Sequence, residues 1–415
     1  MHAIELKDVD ILFGGDQRAA LRMLDSGKDR QEIQDATGAV VGVAGASLAV
    51  RPGEICVLMG LSGSGKSTLM RAVNGLCRVA RGRVLVQDGE AALDMAGCDA
   101  ATLRRMRMER IAMVFQQFAL LPWRTVHENV SFGLELRGTN RAERDAVVAE
   151  KLKLVDLDRW GDKYVHELSG GMQQRVGLAR ALATDSDILL MDEPFSALDP
   201  LIREHLQDEL LDLQRRLGKT ILFVSHDLNE ALKLGRHIAI MEAGRIVQFG
   251  EPEEIVLNPA NAYVAEFVAH MDALNVLRCR SLMTPVADIR RDGETLRLDW
   301  SGLNRLKLNG KGEPVEASIE PAPAAIRHYT PETDTAALAG DTICAATPDL
   351  RMRVAIELRH CTGRPVLMME DGKLVGVIGD DEIYRGLMSQ GSAGAHAGSG
   401  GVEISGSSEL AHLPD

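Results

Sequence analysis

The residues Gly60-Leu61-Ser62-Gly63-Ser64-Gly65-Lys66-Ser67-Thr68 combine glycines, a lysine and paired hydroxyls in the order a polyphosphate needs. The glycines let backbone N–H groups close around β- and γ-phosphates. Lys66 adds a point charge, Ser67 offers a hydroxyl to Mg²⁺, and a helix N-terminus at this point favours the anion. The run Glu54–Met59 before the loop predicts a strand, and Leu69-Met70-Arg71-Ala72-Val73 after it predicts a helix. Strand, loop and helix are the context such a cradle requires. The chain is expected to bind a nucleoside triphosphate with Mg²⁺.

A second cluster, Ile188-Leu189-Leu190-Met191-Asp192-Glu193-Pro194, delivers two carboxylates at the end of an apolar run. Asp192 can hold Mg²⁺ directly or through water, and Glu193 can position and activate an attacking water. Alone, Asp-Glu-Pro also reads as a turn; about 125 residues after a phosphate loop it reads as the loop's partner. A third cluster, Leu168-Ser169-Gly170-Gly171-Met172, opens a helix. It is either another anion site or a helix capped by Ser169. One nucleotide does not need two such loops in one chain, but a head-to-tail dimer uses both.

These groups need elements to carry them. The runs Ile55–Met59, Ile188–Met191 and Ile221–Val224 are continuously apolar and end at polar residues, the last at Ser225-His226. Buried parallel strands read this way, and ligands of open α/β sheets sit beyond their carboxyl ends. Residues 1 to about 270 alternate strand-like and helical patterns, as in an α/β fold. Within them, about 100–180 read as an inserted, largely helical subdomain. Beyond Met271 the pattern changes, and a compact βα-like stretch returns near Arg351–Leu387. The Gly-, Ser-, Ala- and His-rich stretch 391–415 predicts a disordered tail.

A length of 415 residues implies two or three domains. A net charge of −13 argues against a nucleic-acid partner. No apolar run approaches the ~20 residues that span a bilayer, and the N-terminus lacks an apolar signal core. The six cysteines form no C-x-x-C pair, which fits a reduced, cytosolic setting.

On these motifs the chain resembles the ATP-binding subunits of ABC transporters over residues 1 to about 270. The resemblance implies a P-loop NTPase fold with an inserted helical subdomain. It places Phe13 where an aromatic ring stacks on adenine, and makes Gly60–Thr68 the Walker A loop. Gln116, in Met113-Val114-Phe115-Gln116, matches the glutamine that senses Mg²⁺, water and the membrane partner. Ser169, Gly170 and Gly171 match the signature loop, with Met172 where many members have Gln. Asp192 is then the Walker B aspartate and Glu193 the general base. Ser196-Ala197-Leu198-Asp199 matches the loop that crosses the dimer interface, and His226 the histidine that contacts the γ-phosphate. The implied assembly is a homodimer that sandwiches two ATP molecules. It works with an integral membrane permease, peripherally on the cytoplasmic face of the inner membrane, and indirectly with a periplasmic or lipid-anchored substrate-binding protein.

Two details resemble the ATPases of osmoprotectant importers for glycine betaine, proline betaine and choline. Phe13-Gly14 lies far before the phosphate loop, with an extra helical stretch at Gln17–Thr37 between them; the loop itself begins Met59-Gly60-Leu61-Ser62-Gly63. Leu121-Pro122-Trp123-Arg124-Thr125-Val126 also fits that group. Trp123 is a candidate permease contact or a packing residue of the helical subdomain. Cargo recognition by this chain is not expected, because aromatics are only 4% and dispersed, too few for an ammonium cage. An importer for another small solute, or a soluble ABC ATPase, is the alternative. Residues 271–390 resemble a degenerate α+β CBS-like regulatory domain. Leu282-Met283-Thr284-Pro285 resembles the start of one copy, and Thr347–Leu350, Arg364–Met368 and Lys373–Ile378 resemble parts of another. Gly379 and Glu382 stand where nucleotide-binding versions carry Ser or Thr and Asp, and Asp292–Leu308 lacks the pattern. The resemblance therefore implies regulation or dimer stabilisation.

Overall fold

The computed structural model describes all residues except Met1, 117–118, 197, 270–273, 275, 331, 334–337, 339 and 393–415. It divides into two compact units, Met1–Val264 and Ala265–Asp415.

In the first unit, strands β1 (Ile4–Phe13), β2 (Val40–Val50), β4 (Arg81–Asp88) and β5 (Ala91–Asp94) form an antiparallel sheet in the order β2-β1-β4-β5. A second sheet runs β10-β9-β3-β8-β7-β6, built from β3 (Ile55–Met59), β6 (Ile111–Val114), β7 (Ile188–Asp192), β8 (Thr220–Val224), β9 (His237–Glu242) and β10 (Arg245–Gly250). All its pairings are parallel except the edge pair β9–β10. Every residue of β3, β7 and β8 is buried, which is why those strands are apolar along their whole length. Ile4, Ile11, Leu58, Leu69, Met70, Leu190 and Val224 share a core between the two sheets and the helix after β3.

Ten helices surround these sheets: α1 (Gln17–Asp25), α2 (Arg30–Thr37), α3 (Lys66–Val73), α4 (Ala100–Glu109), α5 (Val126–Leu136), α6 (Arg141–Leu154), α7 (Gly170–Ala183), α8 (Pro200–Leu217), α9 (Leu228–Leu234) and α10 (Pro252–Leu257). The stretch 100–180 is not helical throughout: β6 lies inside it and pairs with β7, so the chain re-enters the central sheet before α5–α7. The turn before α5 is held by Asn129, which is fully buried. Its Nδ2 donates to the carbonyls of Leu121, Arg124 and Thr125, and its Oδ1 accepts from the Leu121 N–H. Trp123 on that turn is 71% exposed.

The predicted extra helical stretch is an α1–α2 hairpin. Asp16 caps α1, and Asp29 and Glu32 form a capping box on α2. Gly15, in the left-handed region at φ +51°, lets the hairpin close, because a Cβ there would lie 2.3 Å from the Ala39 nitrogen. Ala20, Leu24 and Ile33 bury the hairpin's apolar side against Leu12 and Val41.

The second unit holds β11 (Thr284–Pro285), β12 (Arg291–Asp292), β13 (Thr295–Arg297), β14 (Asn304–Leu308), β15 (Pro314–Ile319), β16 (Ala322–His328), β17 (Thr342–Ala346), β18 (Val366–Glu370) and β19 (Lys373–Ile378). They form one sheet in the order β11-β19-β18-β17-β16-β15-β14-β13-β12. Strands β12 to β16 form an antiparallel meander, and β16, β17 and β18 are parallel neighbours. A helix at Met352–Thr362 connects β17 to β18, and another at Asp380–Ser392 follows β19. The stretch Asp292–Leu308, which lacks the CBS-like sequence pattern, is part of a meander. The final helix reaches Ser392, two residues into the predicted tail; the rest of that tail lies outside the described residues.

Candidate functional site

The parallel strands deliver their polar ends together. Gly60 follows β3 at φ +141°, and a Cβ there would sit 2.1 Å from the Met241 carbonyl, so only glycine fits this passage from sheet to loop. Gly65, at φ +101°, starts α3. Lys66, in the first turn of α3, donates from Nζ to the carbonyls of Gly60 at 2.8 Å and Leu61 at 2.9 Å. Burial pushes its ammonium below the ordinary lysine range, opposed by the charges of Glu193 and Asp192. That arrangement holds a partly desolvated cation under the loop.

Asp192, the last residue of β7, is fully buried. Its Oδ1 accepts from the Ser67 hydroxyl at 2.7 Å and its Oδ2 from Arg71 Nη2 at 2.9 Å. Glu193 follows in the left-handed region at φ +47°, an uncommon backbone state for a glutamate. Its N–H donates to the Val224 carbonyl, which ties the turn to the end of β8. The Glu193 carboxylate then meets Gln116 Nε2 and His226 Nδ1, each 3.1 Å from Oε2. Residues from the ends of β6, β7 and β8 thus share one carboxylate.

The His226 turn is fixed from behind. Ser225 and Glu230 are buried and hydrogen-bonded to each other, and Gln207 Nε2 donates to Glu230 at 3.1 Å. Arg203 reaches Asp227 at 3.2 Å. Burial raises the Glu230 carboxyl above its ordinary range, with its hydrogen bonds from Ser225 and Gln207 opposing the shift. Phe13, at the end of β1, is 43% exposed. Its ring lies against Gly42, where an added Cβ would come within 2.7 Å of Cε2 and 3.2 Å of the Thr68 methyl. An open aromatic edge therefore stands beside the start of α3.

Four expected residues stand at the starts of α7 and α8. Ser169 caps α7 through the Met172 N–H at 3.4 Å, with Gly170 and Gly171 as the first helical residues. Asp199 caps α8 through the Ile202 N–H at 3.0 Å. A Cβ on Gly171 would lie 3.0 Å from Leu198, so the start of α7 packs on the segment before Asp199. Ser62, Gly63 and Ser64 lie on the loop between β3 and α3. Arg71 was not among the expected residues. Its signal was its place four residues after Ser67 on the same helix, which brings both to one face.

The chemistry open to this arrangement is phosphoryl transfer to water. It offers a cradle of N–H groups and an ammonium, hard oxygen donors suited to Mg²⁺ at Ser67 and Asp192, and a carboxylate that can order a water.

A family model described as ABC transporter matches residues 43–196. Over 296 residues the chain is 50% identical to the glycine betaine transport ATP-binding protein OpuAA of Bacillus subtilis, covering 71% of this chain and 68% of that protein. It is 40% identical to the glycine betaine/carnitine transport ATP-binding protein GbuA of Listeria monocytogenes, covering 91% of this chain and 96% of that protein. Among solved structures, a dimeric ATP-binding cassette bound to ADP and phosphate in a post-hydrolysis state is similar at TM-score 0.51 and 30% identity, over 60% of this chain and 98% of that one. Matches of this identity, running over most of the relatives' own length, place the chain in the family of ABC transporter ATP-binding proteins.

Proposed function

We propose that this chain is the ATP-hydrolysing subunit of an importer for quaternary ammonium osmoprotectants such as glycine betaine, carnitine, proline betaine or choline. The observation that carries this reading is the match along 91% of the chain to a glycine betaine/carnitine transport ATP-binding protein, which takes in the second unit as well as the first. In this reading Glu193 orients and deprotonates the attacking water, and Gln116 and His226 hold its carboxylate until substrate is in place. Lys66 and the loop amides bind the phosphates, and Phe13 stacks on the base. Ser67 and Asp192, with Gln116, would hold Mg²⁺, which supplies charge neutralisation at the phosphate oxygens when bound. Ser169, Gly170, Gly171 and Asp199 act across a homodimer, each signature loop completing the partner's site. Their helix-start positions, separate from the Glu193 cluster, support that division of labour.

The exposed Trp123 on its Asn129-braced turn fits a contact with an integral membrane permease, which would hold the chain peripherally on the cytoplasmic face. No helix of the described residues is long and apolar enough to cross a membrane. A substrate-binding protein outside the membrane would capture cargo. The second unit serves as a CBS-like regulatory module. What supports this is that Val366–Met368 of the stretch Arg364–Met368 lie in β18, that Lys373–Ile378 forms its neighbour β19, and that Thr284–Pro285 pairs with β19.

The test is uptake in cells lacking the gene for this chain. Labelled glycine betaine, carnitine and choline should each enter only when the gene is restored. Unchanged uptake of all three in the deleted cells, with an intact ATPase in vitro, rules out this cargo class while leaving the ATPase reading standing.

A further inference from the structure

The α1–α2 hairpin places one cation against the phosphate loop. Arg30 opens α2, directly after the Asp29 cap. Its Nη1 donates to the Gly63 carbonyl at 3.3 Å, and its Nη2 donates to the carbonyl of Val41 on β2. One planar guanidinium therefore bridges the phosphate loop and the strand that carries Gly42 beneath the Phe13 ring. No ion pair joins Arg30 among the described residues. Burial lowers its guanidinium below the ordinary range, with no carboxylate offsetting the shift. A half-buried, unneutralised charge is costly unless something makes use of it. Two neighbouring cations are paired, by contrast: Lys28 with Glu32 at 2.9 Å, and Arg81 with Asp25 at 2.8 Å.

The contact also shapes the loop. Gly63, at φ +78°, lies inside the turn closed by the Ser64 N–H on the Leu61 carbonyl. Leu61 also accepts from Lys66. Holding the Gly63 carbonyl from outside fixes the peptide plane it shares with Ser64, and with it the turn beneath which Lys66 sits. A cradle set before its ligand arrives loses less freedom on binding.

We propose that Arg30 is a positioning residue for the nucleotide. It braces the phosphate loop against β2, adds a positive charge to the loop's outer side, and makes the hairpin part of the triphosphate site. Arginine suits the role because its planar fork carries separate N–H groups that reach two carbonyls in different directions, whereas a lysine donates from a single nitrogen.

The test uses the purified full chain, with steady-state ATPase kinetics and direct measurement of Mg–ATP binding. Arg30→Ala should raise KM and Kd for ATP roughly tenfold, the scale of one lost charge-assisted hydrogen bond, with kcat within about twofold. Arg30→Met keeps the apolar stem and gives the same result if the alanine variant folds poorly. Arg30→Lys keeps the charge but one contact, and should fall between parent and alanine. Asp25→Ala frees the end of α1 from Arg81 without touching the loop, and should leave KM unchanged. The proposal is overturned if both the Arg30→Ala and Arg30→Met variants keep parental KM and Kd. It is equally overturned if they lose kcat with KM unchanged, or if Asp25→Ala raises KM as much as they do. The last outcome would make hairpin docking, not Arg30, the cause.

Discussion

The two units organise their strands for different ends. In the first, β3, β7, β8 and β6 run parallel, and their carboxyl ends converge on Lys66, Asp192, Glu193, His226 and Gln116. In the second, an antiparallel meander runs straight into a short parallel segment, and Ile289, Leu296, Leu306, Ile343 and Leu367 form a core of its own. Its parallel neighbours β16, β17 and β18 end at His328, Ala346 and Glu370, none of which leads into a glycine-rich loop. Parallel order gathers functional groups from distant parts of a chain; a meander places sequence neighbours side by side, which suits a module that transmits or stabilises.

That contrast breaks most sharply at Glu193. Glu193→Gln should keep ATP binding and lower phosphate release by about 10²- to 10⁴-fold, the range for loss of a general base. Turnover near the parent's would take the base role from Glu193 and leave the first unit no more chemical than the second. A smaller effect is expected from ending the chain after about residue 275. Basal ATPase should stay within about twofold, while its dependence on ionic strength changes; superimposable salt curves would overturn the regulatory role proposed for the second unit. The finest effect concerns the support behind His226. Glu230 has a raised carboxyl, so its contribution to stability is complete below the unfolded value of 4.5 and is lost as pH rises through the higher folded value. Chemical denaturation of the full chain from pH 4 upward should show this decline, and Glu230→Gln should flatten it. A wild-type curve without the decline would place the buried charge elsewhere.

Much of the first unit was legible because its chemistry sits at the ends of unbroken apolar runs. Gly60–Thr68, Asp192-Glu193 and His226 could be placed at one sheet edge from such runs alone. Residues that act through contacts were harder to see. Arg71 and Arg30 look like ordinary surface arginines until the fold sets one against Asp192 and the other against Gly63. Gly42 carries no motif, yet its missing side chain is what seats Phe13. β6 is four residues long, too short to stand out inside a stretch dominated by helix-forming residues. The meander was hidden for a related reason: β15 and β16 are mostly exposed or half-exposed, and show little of the alternation that marks a strand. Ser169 was legible as a helix cap and Asp199 only through the family motif, and a single chain offers no neighbour to show what else they touch.

The Arg71–Asp192 pair has one more consequence. A fully enclosed carboxylate beside an incoming divalent ion needs some counterweight whenever that ion departs. Here the guanidinium supplies it permanently, so each release of spent product returns the motor to an electrically settled resting state. Ser67 would need no rearrangement between rounds, because a hydroxyl can keep its hydrogen on the aspartate while a lone pair stays open to an arriving metal.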